Sequence, residues 1–121
     1  MQLMQKKVHV VEDDEDIRFI IEFTLQDAGY DVSVSASAYD FKKHMVHHHP
    51  DLILMDIRLP DGDGLQLCKN LKQERGTQEV PVILMSAHFP QHEMIDQYFA
   101  NDFLSKPFEL KTLLKRIGDH I

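Results

Sequence analysis

Several features are scarce in this chain of 121 residues, and each scarcity excludes a class of protein. A single cysteine, Cys68, excludes an internal disulfide framework and fits a reducing compartment, so we expect a cytoplasmic location. Uninterrupted apolar runs reach only a few residues, far short of the ~20 that a membrane-spanning helix needs. The first residues, MQLMQKK, contain no apolar core of a secretion signal. We therefore expect no membrane partner.

Positive charge is also scarce, because 13 Lys and Arg residues oppose 20 acidic ones and the net charge is −7. Binding to a nucleic acid backbone needs a basic stripe, and the sequence has none, so we expect no direct nucleic acid binding. Histidine, in contrast, is plentiful, with His47, His48 and His49 in a row before Pro50. We interpret this run as a polar helix end, because a metal site needs ligands from more separated positions.

The apolar residues follow two alternating periods. Short strand-like runs occupy residues 8–11, 30–34, 52–55, 80–85 and 103–104. Each is followed by apolar residues at helical spacing, as in Ile17, Ile21 and Leu25, where Gly29 then ends the helix. Five repeats of strand and helix, with no linker between them, predict one α/β domain over residues 1–121. Its parallel sheet should be covered by helices on both faces.

The residues that follow the predicted strands share one kind of chemistry. They are four acids, a hydroxyl and a lysine: Glu12, Asp13, Asp14, Asp56, Ser86 and Lys106. Carboxyl ends of parallel strands lie on one edge of a sheet, so these side chains should converge there. Two carboxylates ~4 Å apart repel by about 4 kcal/mol at an effective dielectric near 20, unless a cation neutralises them. Oxygen ligands of this kind suit Mg²⁺, and a carboxylate beside it can attack phosphorus to give an aspartyl phosphate.

Each of these residues also has a plainer interpretation. The three acids after the first strand could be caps or dipole partners of the next helix, and Asp56 could start the turn that leads to Pro60. Ser86 could be a simple loop hydroxyl and Lys106 a solvated charge. These readings do not explain why every strand end except the second supplies one member of a phosphoryl site. The convergent set therefore favours the functional interpretation.

Four segments, in this order, resemble a known family: VHVVEDDEDIR, PDLILMDIRLPDGDGL, VPVILMSA and DFLSKPF. Together they are similar to the receiver domains of two-component response regulators, the CheY-like family. The resemblance covers nearly the whole chain and implies a single receiver domain over residues 1–121. The implied fold is a flavodoxin-like (βα)5 three-layer sandwich with five parallel strands in the order 2-1-3-4-5.

The resemblance assigns an acidic metal site with Mg²⁺ as cofactor. Asp56 is implied as the phosphoacceptor, and Asp13 as a direct ligand of Mg²⁺. Glu12 is expected to assist, through water, and the main-chain carbonyl of Arg58 to supply a further ligand. Asp14 is a third acid to which the resemblance gives no firm role.

Other residues are implied to respond to the phosphoryl group. Ser86 should hydrogen-bond to it and Lys106 should pair with it, while Phe103 occupies the position of the aromatic switch residue. The Lys106–Pro107 peptide bond is expected to be cis. Arg58 and His88 flank the route of the hydrolytic water and are expected to tune the lifetime of the phosphorylated form.

The implied function is a phosphorylation-driven conformational switch. A sensor histidine kinase or a histidine phosphotransfer protein would donate the phosphoryl group, and a downstream effector protein or domain would respond. Such a domain is not an enzyme with a separate substrate, because it catalyses only its own phosphorylation and dephosphorylation. Ser86 and Lys106 lie 20 positions apart, slightly closer than is usual in the family, and YFAND replaces a stretch of small residues. No dimer mode is therefore carried over.

Two other functions remain open at this point. A haloacid-dehalogenase-like phosphatase also uses an aspartate nucleophile with Mg²⁺, but it needs a DxDxT-like motif after the first strand, where this chain has EDDED. Asp61–Gly62–Asp63 instead follows a proline turn. Turnover of an external phosphomonoester would favour this class. The second alternative is a module of the same fold that binds FMN or a peptide without phosphotransfer, and a yellow purified protein would indicate it.

Overall fold

The computed structural model of the chain describes residues 5–87 and 96–121. Strands and helices alternate along the described residues, apart from one small hairpin. The strands are β1 Lys7–Val11, β2 Asp31–Ser35, β3 Leu52–Asp56, β4 Arg58–Leu59, β5 Gly62–Asp63, β6 Val82–Ser86 and β7 Asp102–Ser105. The helices are α1 Glu15–Asp27, α2 Ala38–Met45, α3 Gly64–Gln73 and α4 Leu110–His120.

Five strands form one parallel sheet in the order β2-β1-β3-β6-β7. When only these five are counted along the chain, the order is 2-1-3-4-5, which confirms the expected flavodoxin-like topology. The sequence did not predict the antiparallel hairpin β4–β5, in which Arg58 pairs with Asp63 and Leu59 with Gly62. This hairpin directly follows β3 and shapes the chain beyond Asp56.

Side-chain alternation along the central strand explains the three layers. In β3, Leu52 and Leu54 contact one apolar cluster, to which helices α1 and α4 contribute. Ile53 and Met55 contact the second cluster, on the opposite face, to which α2 and α3 contribute. All four side chains are fully buried, so the continuous apolar run LILM fits a strand covered on both faces.

Local signals in the sequence set the helix boundaries. Asp14, Ser37 and Asp63 are N-caps, and each side chain accepts a hydrogen bond from a backbone N–H in the first turn of its helix. After α1, the chain turns at Gly29 with φ of +98°, a conformation that glycine adopts without strain. The helix end predicted at Gly29 is therefore confirmed.

The fourth strand–helix repeat is described only in part. The helix predicted to follow the strand-like run at residues 80–85 lies largely outside the described residues, although residues 96–98 are helical. Tyr98 packs against the cluster on the α2 and α3 side of the sheet. In the described ranges, no helix combines the length and the apolar character that crossing a bilayer requires.

Candidate functional site

The carboxyl edge of the sheet brings the predicted side chains together. Glu12 directly follows β1, Asp56 ends β3 and pairs in register with Met85, and Ser86 ends β6. The backbone N–H of Lys106 donates to the carbonyl of Ser86 at 2.8 Å, which fixes the end of β7 beside the end of β6. Strand register therefore delivers acids, hydroxyl and lysine to one rim, as the sequence predicted.

Lys106 joins carboxylates from two different strands. Its Nζ donates to Oδ2 of Asp56 at 2.8 Å and also pairs with Oε1 of Glu12. Both acids are buried, with Glu12 fully so and Asp56 only 7% exposed. Buried carboxylates are costly without a partner, so this shared lysine stabilises the cluster electrostatically.

Burial and charge have opposing effects on the ionisation of Glu12. Burial and, after it, the neighbouring Asp56 raise the pKa of Glu12 to about 7, although Lys106 acts in the lowering direction. Burial also lowers the pKa of Lys106, but its bonds to Asp56 and Glu12 outweigh this effect and the net shift is upward. Lys106 therefore stays positively charged at neutral pH, while the pKa of Glu12 lies near neutrality.

Three acids in this cluster form an oxygen-donor set suited to a cation. One oxygen from each of Glu12, Asp13 and Asp56 lies within 4.8 Å of the others. Asp13 is exposed and the other two are buried, so the cluster opens to solvent on one side. A small set of carboxylate oxygens with an open side fits Mg²⁺, which retains several water ligands.

Two nearby residues hold the backbone around the cluster. The N–H of Arg58 donates to Oδ1 of Asp56 at 3.2 Å, which keeps the main chain of Arg58 beside the acids. Ligation by the carbonyl of Arg58 stays a prediction. Asp14, whose role the sequence left open, caps α1 by accepting from the N–H of Ile17 at 3.0 Å. Its carboxylate therefore serves as the N-cap of α1.

Ser86 and Phe103 lie on adjacent strands next to the acids. Ser86 is 5% exposed at the end of β6, one residue beyond the strand partner of Asp56. Phe103 pairs with Leu84 and packs, partly buried, against the apolar cluster on the α2 and α3 side. Their positions suit the expected contact and switch roles, which stay predictions. The Lys106–Pro107 bond is cis, as expected. His88 lies outside the described residues.

The loop after Asp56 also contains acids, and both have structural partners. Asp61 accepts hydrogen bonds from the N–H groups of Ala38 and Tyr39, at 2.7 and 3.0 Å, at the start of α2. These backbone bonds lower the pKa of Asp61. Asp63 caps α3 by accepting from Leu65 at 2.9 Å. The Asp61–Gly62–Asp63 segment therefore orders two helix starts and does not supply a second nucleophile pair.

Sequence reasoning missed two residues that support the site. The guanidinium of Arg18 donates to the carbonyl of Glu12 at 3.0 Å and holds the acidic turn from α1. Gly64 lies so close to β3 that an added Cβ would be 2.2 Å from the carbonyl oxygen of Asp56. A glycine at the first position of a helix with apolar residues was a usable signal, whereas the reach of Arg18 depends on three-dimensional placement.

An apolar groove borders the acidic cluster. It has a volume of about 370 Å³ and runs between α1 and the segment after β7. Its walls include Ile17, Ile20, Phe108 and Leu110, and Lys106 and Pro107 form the side next to the acids. Because Lys106 also contacts Asp56, a molecule lying in the groove would be adjacent to the carboxylate.

Fold and site together define a doubly wound α/β domain with an acidic, lysine-containing crevice at the carboxyl ends of its strands. Residues 8–118 match the family model described as response regulator receiver domain. The chain therefore belongs to the family of receiver domains of two-component response regulators.

Individual relatives agree with this assignment. The chain is 36% identical over 117 residues to the phosphate regulon transcriptional regulatory protein PhoB of Escherichia coli, covering 94% of this chain and 51% of that protein. The chain thus spans about half the length of the curated relatives it matches. Among solved structures, the chemotaxis response regulator CheY4 of Vibrio cholerae superposes with a TM-score of 0.91 at 26% identity, covering 98% of this chain and 100% of that one.

A further solved structure bears on the metal. The receiver domain of sensor histidine kinase PA1611 from Pseudomonas aeruginosa contains a magnesium ion coordinated in its active site cleft. It matches with a TM-score of 0.86 at 28% identity, covering 97% of this chain and 98% of that one.

Proposed function

We propose that Asp56 accepts a phosphoryl group from a phosphohistidine donor in a Mg²⁺-dependent reaction, and that phosphorylation switches the conformation of the domain. The observation that carries the proposal is the geometry around Asp56. Its carboxylate is nearly buried, has the ammonium of Lys106 at 2.8 Å, and shares an oxygen cluster with Glu12 and Asp13. A nucleophile, a fixed cation and metal ligands are thus adjacent.

The transfer step follows from these groups. A carboxylate oxygen of Asp56 attacks phosphorus, the P–N bond to the donor imidazole breaks, and its electron pair stays on the imidazole nitrogen. Lys106 neutralises negative charge on the phosphoryl oxygens. Glu12, Asp13, Asp56 and the carbonyl of Arg58 would hold Mg²⁺, which supplies further positive charge at the phosphoryl group when bound.

Loss of the phosphoryl group uses the same residues. Water attacks phosphorus, the bond between phosphorus and the Asp56 oxygen breaks, and inorganic phosphate leaves while the carboxylate is restored. The domain thus catalyses only its own phosphorylation and dephosphorylation, and it turns over no separate substrate. Arg58 and His88 would tune the rate at which water reaches the phosphoryl group.

Switching would spread from Ser86 to the neighbouring strand. A hydrogen bond from Ser86 to the phosphoryl group would draw the end of β6 toward Asp56. The carbonyl of Ser86 accepts from the N–H of Lys106, so β7 is mechanically tied to this movement. Phe103 lies on β7 and would reorient with it, shifting the population of two surface states.

The donor is a sensor histidine kinase or a histidine phosphotransfer protein. The apolar groove bordered by Lys106 is where such a protein would dock, because its histidine must reach Asp56 from an adjoining surface. The name of PhoB describes a transcriptional regulatory protein, which supports an effector protein or domain as the output. We expect the protein to act in the cytoplasm, because its single cysteine fits a reducing compartment.

Mass spectrometry of the intact chain after incubation with acetyl phosphate and Mg²⁺ tests this function. One added phosphoryl group is expected in the unaltered chain and none in Asp56→Asn, which keeps the size of the side chain but lacks the nucleophile. Chelation of Mg²⁺ should abolish the modification. An Asp56→Asn variant that is modified as readily as the unaltered chain would place the acceptor elsewhere.

A further inference from the structure

Three imidazole rings form a stack that runs from the core to the surface. His9 in β1 is fully buried, and its ring lies 4.0 Å from that of His44 in α2, with 14° between the ring planes. The ring of His44 in turn lies 4.2 Å from that of His48, with 6° between the planes. The sequence alone suggested only a run of three surface histidines, so the grouping of His9, His44 and His48 is a product of the fold.

His9 serves as the backing of this stack. Its two ring nitrogens lie 2.7 Å from Oγ of Ser33 and 2.8 Å from Oγ of Ser35, so both are occupied by neighbours on β2. His44 is half-buried, and its Nε2 lies 3.4 Å from Oγ of Ser33. The outer imidazoles are therefore the ones available to a ligand.

A cavity beside the stack collects ligands from separate parts of the chain. It has a volume of about 210 Å³, and its walls include Asp31, His44, His48 and His49. Asp31 begins β2, His44 belongs to α2, and the two other histidines follow that helix. A metal site needs ligands from separated positions in the chain, and these residues provide them, whereas the run of three histidines alone does not. We propose that these four residues bind a transition-metal ion of the Zn²⁺ class, for which imidazole and carboxylate are suitable ligands.

Local charge favours this cavity over its neighbour. Lys7 is the one cation among its wall residues, and Asp31 offsets it. The adjoining cavity shares His44 and His48, but Arg18 and Lys43 line it against the single acid Asp40. A divalent cation would be repelled there. His49 and Asp31 are consequently the expected additional ligands, and His47, which lines the neighbouring cavity, is not.

Metal binding at this place would need the rings of His44 and His48 to rotate out of their stacked arrangement. Among the described residues, three ligand atoms lie within 4.8 Å of one another only in Glu12, Asp13 and Asp56, and the imidazoles instead meet face to face. His48 and His49 are exposed and lie outside helix and strand, so rotation of their rings is inexpensive. The bound ion would tie the end of α2 to the start of β2.

The proposed ion site lies far along the sheet from the acidic cluster. Lys7 and Asp31 are the first residues of β1 and β2, whereas Glu12 directly follows the carboxyl end of β1 and Asp56 ends β3. The two sites also differ in chemistry, because imidazoles discriminate against Mg²⁺ and an all-oxygen cluster accepts it. Binding at the histidines can therefore be measured with the acidic cluster saturated by Mg²⁺.

Isothermal titration of the untagged, metal-stripped chain with Zn²⁺ in excess Mg²⁺ tests the proposal. One Zn²⁺ per chain is expected, with affinity reduced at least about tenfold in His48→Gln and in His49→Gln, since each loses one ligand. His47→Gln is the matched control, and it should bind as the unaltered chain does. Both histidines are exposed, so these variants should fold normally, which circular dichroism checks.

Several results would overturn the proposed Zn²⁺ site. Zn²⁺ affinity that is unchanged in His48→Gln and His49→Gln overturns the proposal, as does an equal loss in His47→Gln. Absence of stoichiometric Zn²⁺ binding also overturns it. Asp56→Asn should retain the Zn²⁺ site, and a loss in that variant would assign the ion to the acidic cluster instead.

Discussion

Nζ of Lys106 lies 2.8 Å from Oδ2 of Asp56, although 50 positions separate the two residues in the chain. The same ammonium group pairs with Glu12 at the end of β1. One cation therefore connects β7 to carboxylates from two inner strands. This arrangement keeps the acids close to each other without a metal and leaves a lysine in position to meet a phosphoryl group.

Replacement of Lys106 by methionine should weaken both stability and phosphorylation. The variant leaves two buried carboxylates without their cation, so the free energy of unfolding at pH 7 should fall by about 1–3 kcal/mol. The rate of modification by acetyl phosphate should fall about tenfold or more, because a fixed positive group is lost from the transition state. Urea denaturation and timed mass spectrometry measure the two effects.

Lys115→Met is the control for this variant. The side chain of Lys115 is 76% exposed and pairs with Asp119 one turn away, so its loss should change neither quantity measurably. Equal effects of the two substitutions would mean that general charge, and not the bridge to Asp56 and Glu12, is responsible.

The proton on Glu12 should make Mg²⁺ binding depend on pH. Burial and the nearby Asp56 raise the pKa of Glu12 to about 7, and a metal ion must compete with that proton. Mg²⁺ affinity should therefore rise as the pH rises through about 7 and level off above it. Glu12→Gln should bind Mg²⁺ more weakly and with a flatter pH profile. Calorimetric titrations on both sides of neutrality measure this, and parallel profiles in the two proteins would contradict it.

Gly64 should not tolerate a side chain. A Cβ there would lie 2.2 Å from the carbonyl oxygen of Asp56 and 2.9 Å from Cα of Ile57, and both neighbours are backbone atoms. Gly64→Ala should thus lower the free energy of unfolding by about 1–3 kcal/mol, and slow phosphorylation by displacing Asp56. Gly118→Ala, inside α4 with nothing within 4 Å of the new Cβ, should instead stabilise by about 0.5–1 kcal/mol. A stable and fully active Gly64→Ala variant would contradict this prediction, because it would show that the backbone at Asp56 and Ile57 can move to accommodate the methyl group.

The sheet and its rim could be predicted because the signals are local. Continuous apolar runs such as residues 52–55 indicate covered strands, and a parallel sheet places whatever follows those strands on one edge. The positions of Asp56 and Lys106 after predicted strands were therefore enough to predict that the two residues lie on one edge.

Other features could not be predicted because they depend on register or on competing uses of one residue. The β4–β5 hairpin consists of two-residue strands, which are too short to show a period. The contact of His9 with Ser33 and Ser35 arises from the pairing register of β1 with β2. The carboxylate of Asp14 could serve as a metal ligand or as a helix N-cap. Only the hydrogen bond that it accepts from the N–H of Ile17 identifies it as a cap.

Buried His9 should make the domain less stable in acid. Burial, followed by the charges of His44 and His48, lowers the pKa of His9 to about 3 from 6.5. A base with a lowered pKa in the folded state contributes its full stability above the unfolded pKa. That contribution is lost as the pH falls from 6.5 toward 3, by up to about 1.4 kcal/mol per pH unit. His9→Gln removes the titrating group, so its free energy of unfolding should fall less steeply below pH 6.5.

Comparison of the two proteins is necessary because Glu12 has the opposite effect. Its raised pKa gives a contribution that is full below 4.5 and is lost as the pH rises through about 7. Urea denaturation at several pH values, with His47→Gln as a control at an exposed histidine, separates the contributions of His9 and Glu12. Identical slopes in the unaltered chain and in His9→Gln would contradict the prediction.

Replacement of Ile20 should slow phosphoryl transfer from a protein donor but not from a small-molecule donor. Its side chain is 49% exposed on α1 and lines the apolar groove beside Lys106. Ile20→Lys places a charge where the donor would bury apolar surface, which should cost at least ~1.4 kcal/mol, or about tenfold in transfer rate. Acetyl phosphate needs no such surface, so its reaction with Asp56 should be unchanged.

Transfer from a histidine kinase that phosphorylates the unaltered chain measures this difference. Val46→Lys is the matched control, because Val46 is 68% exposed at the end of α2, in the layer on the other face of the sheet, and it should transfer normally. A loss with acetyl phosphate as well would indicate that Ile20→Lys disturbs the acidic cluster itself. Equal transfer to Ile20→Lys and Val46→Lys would remove the groove from the docking surface, because an apolar contact covered by the donor cannot accept a lysine without weakening the complex.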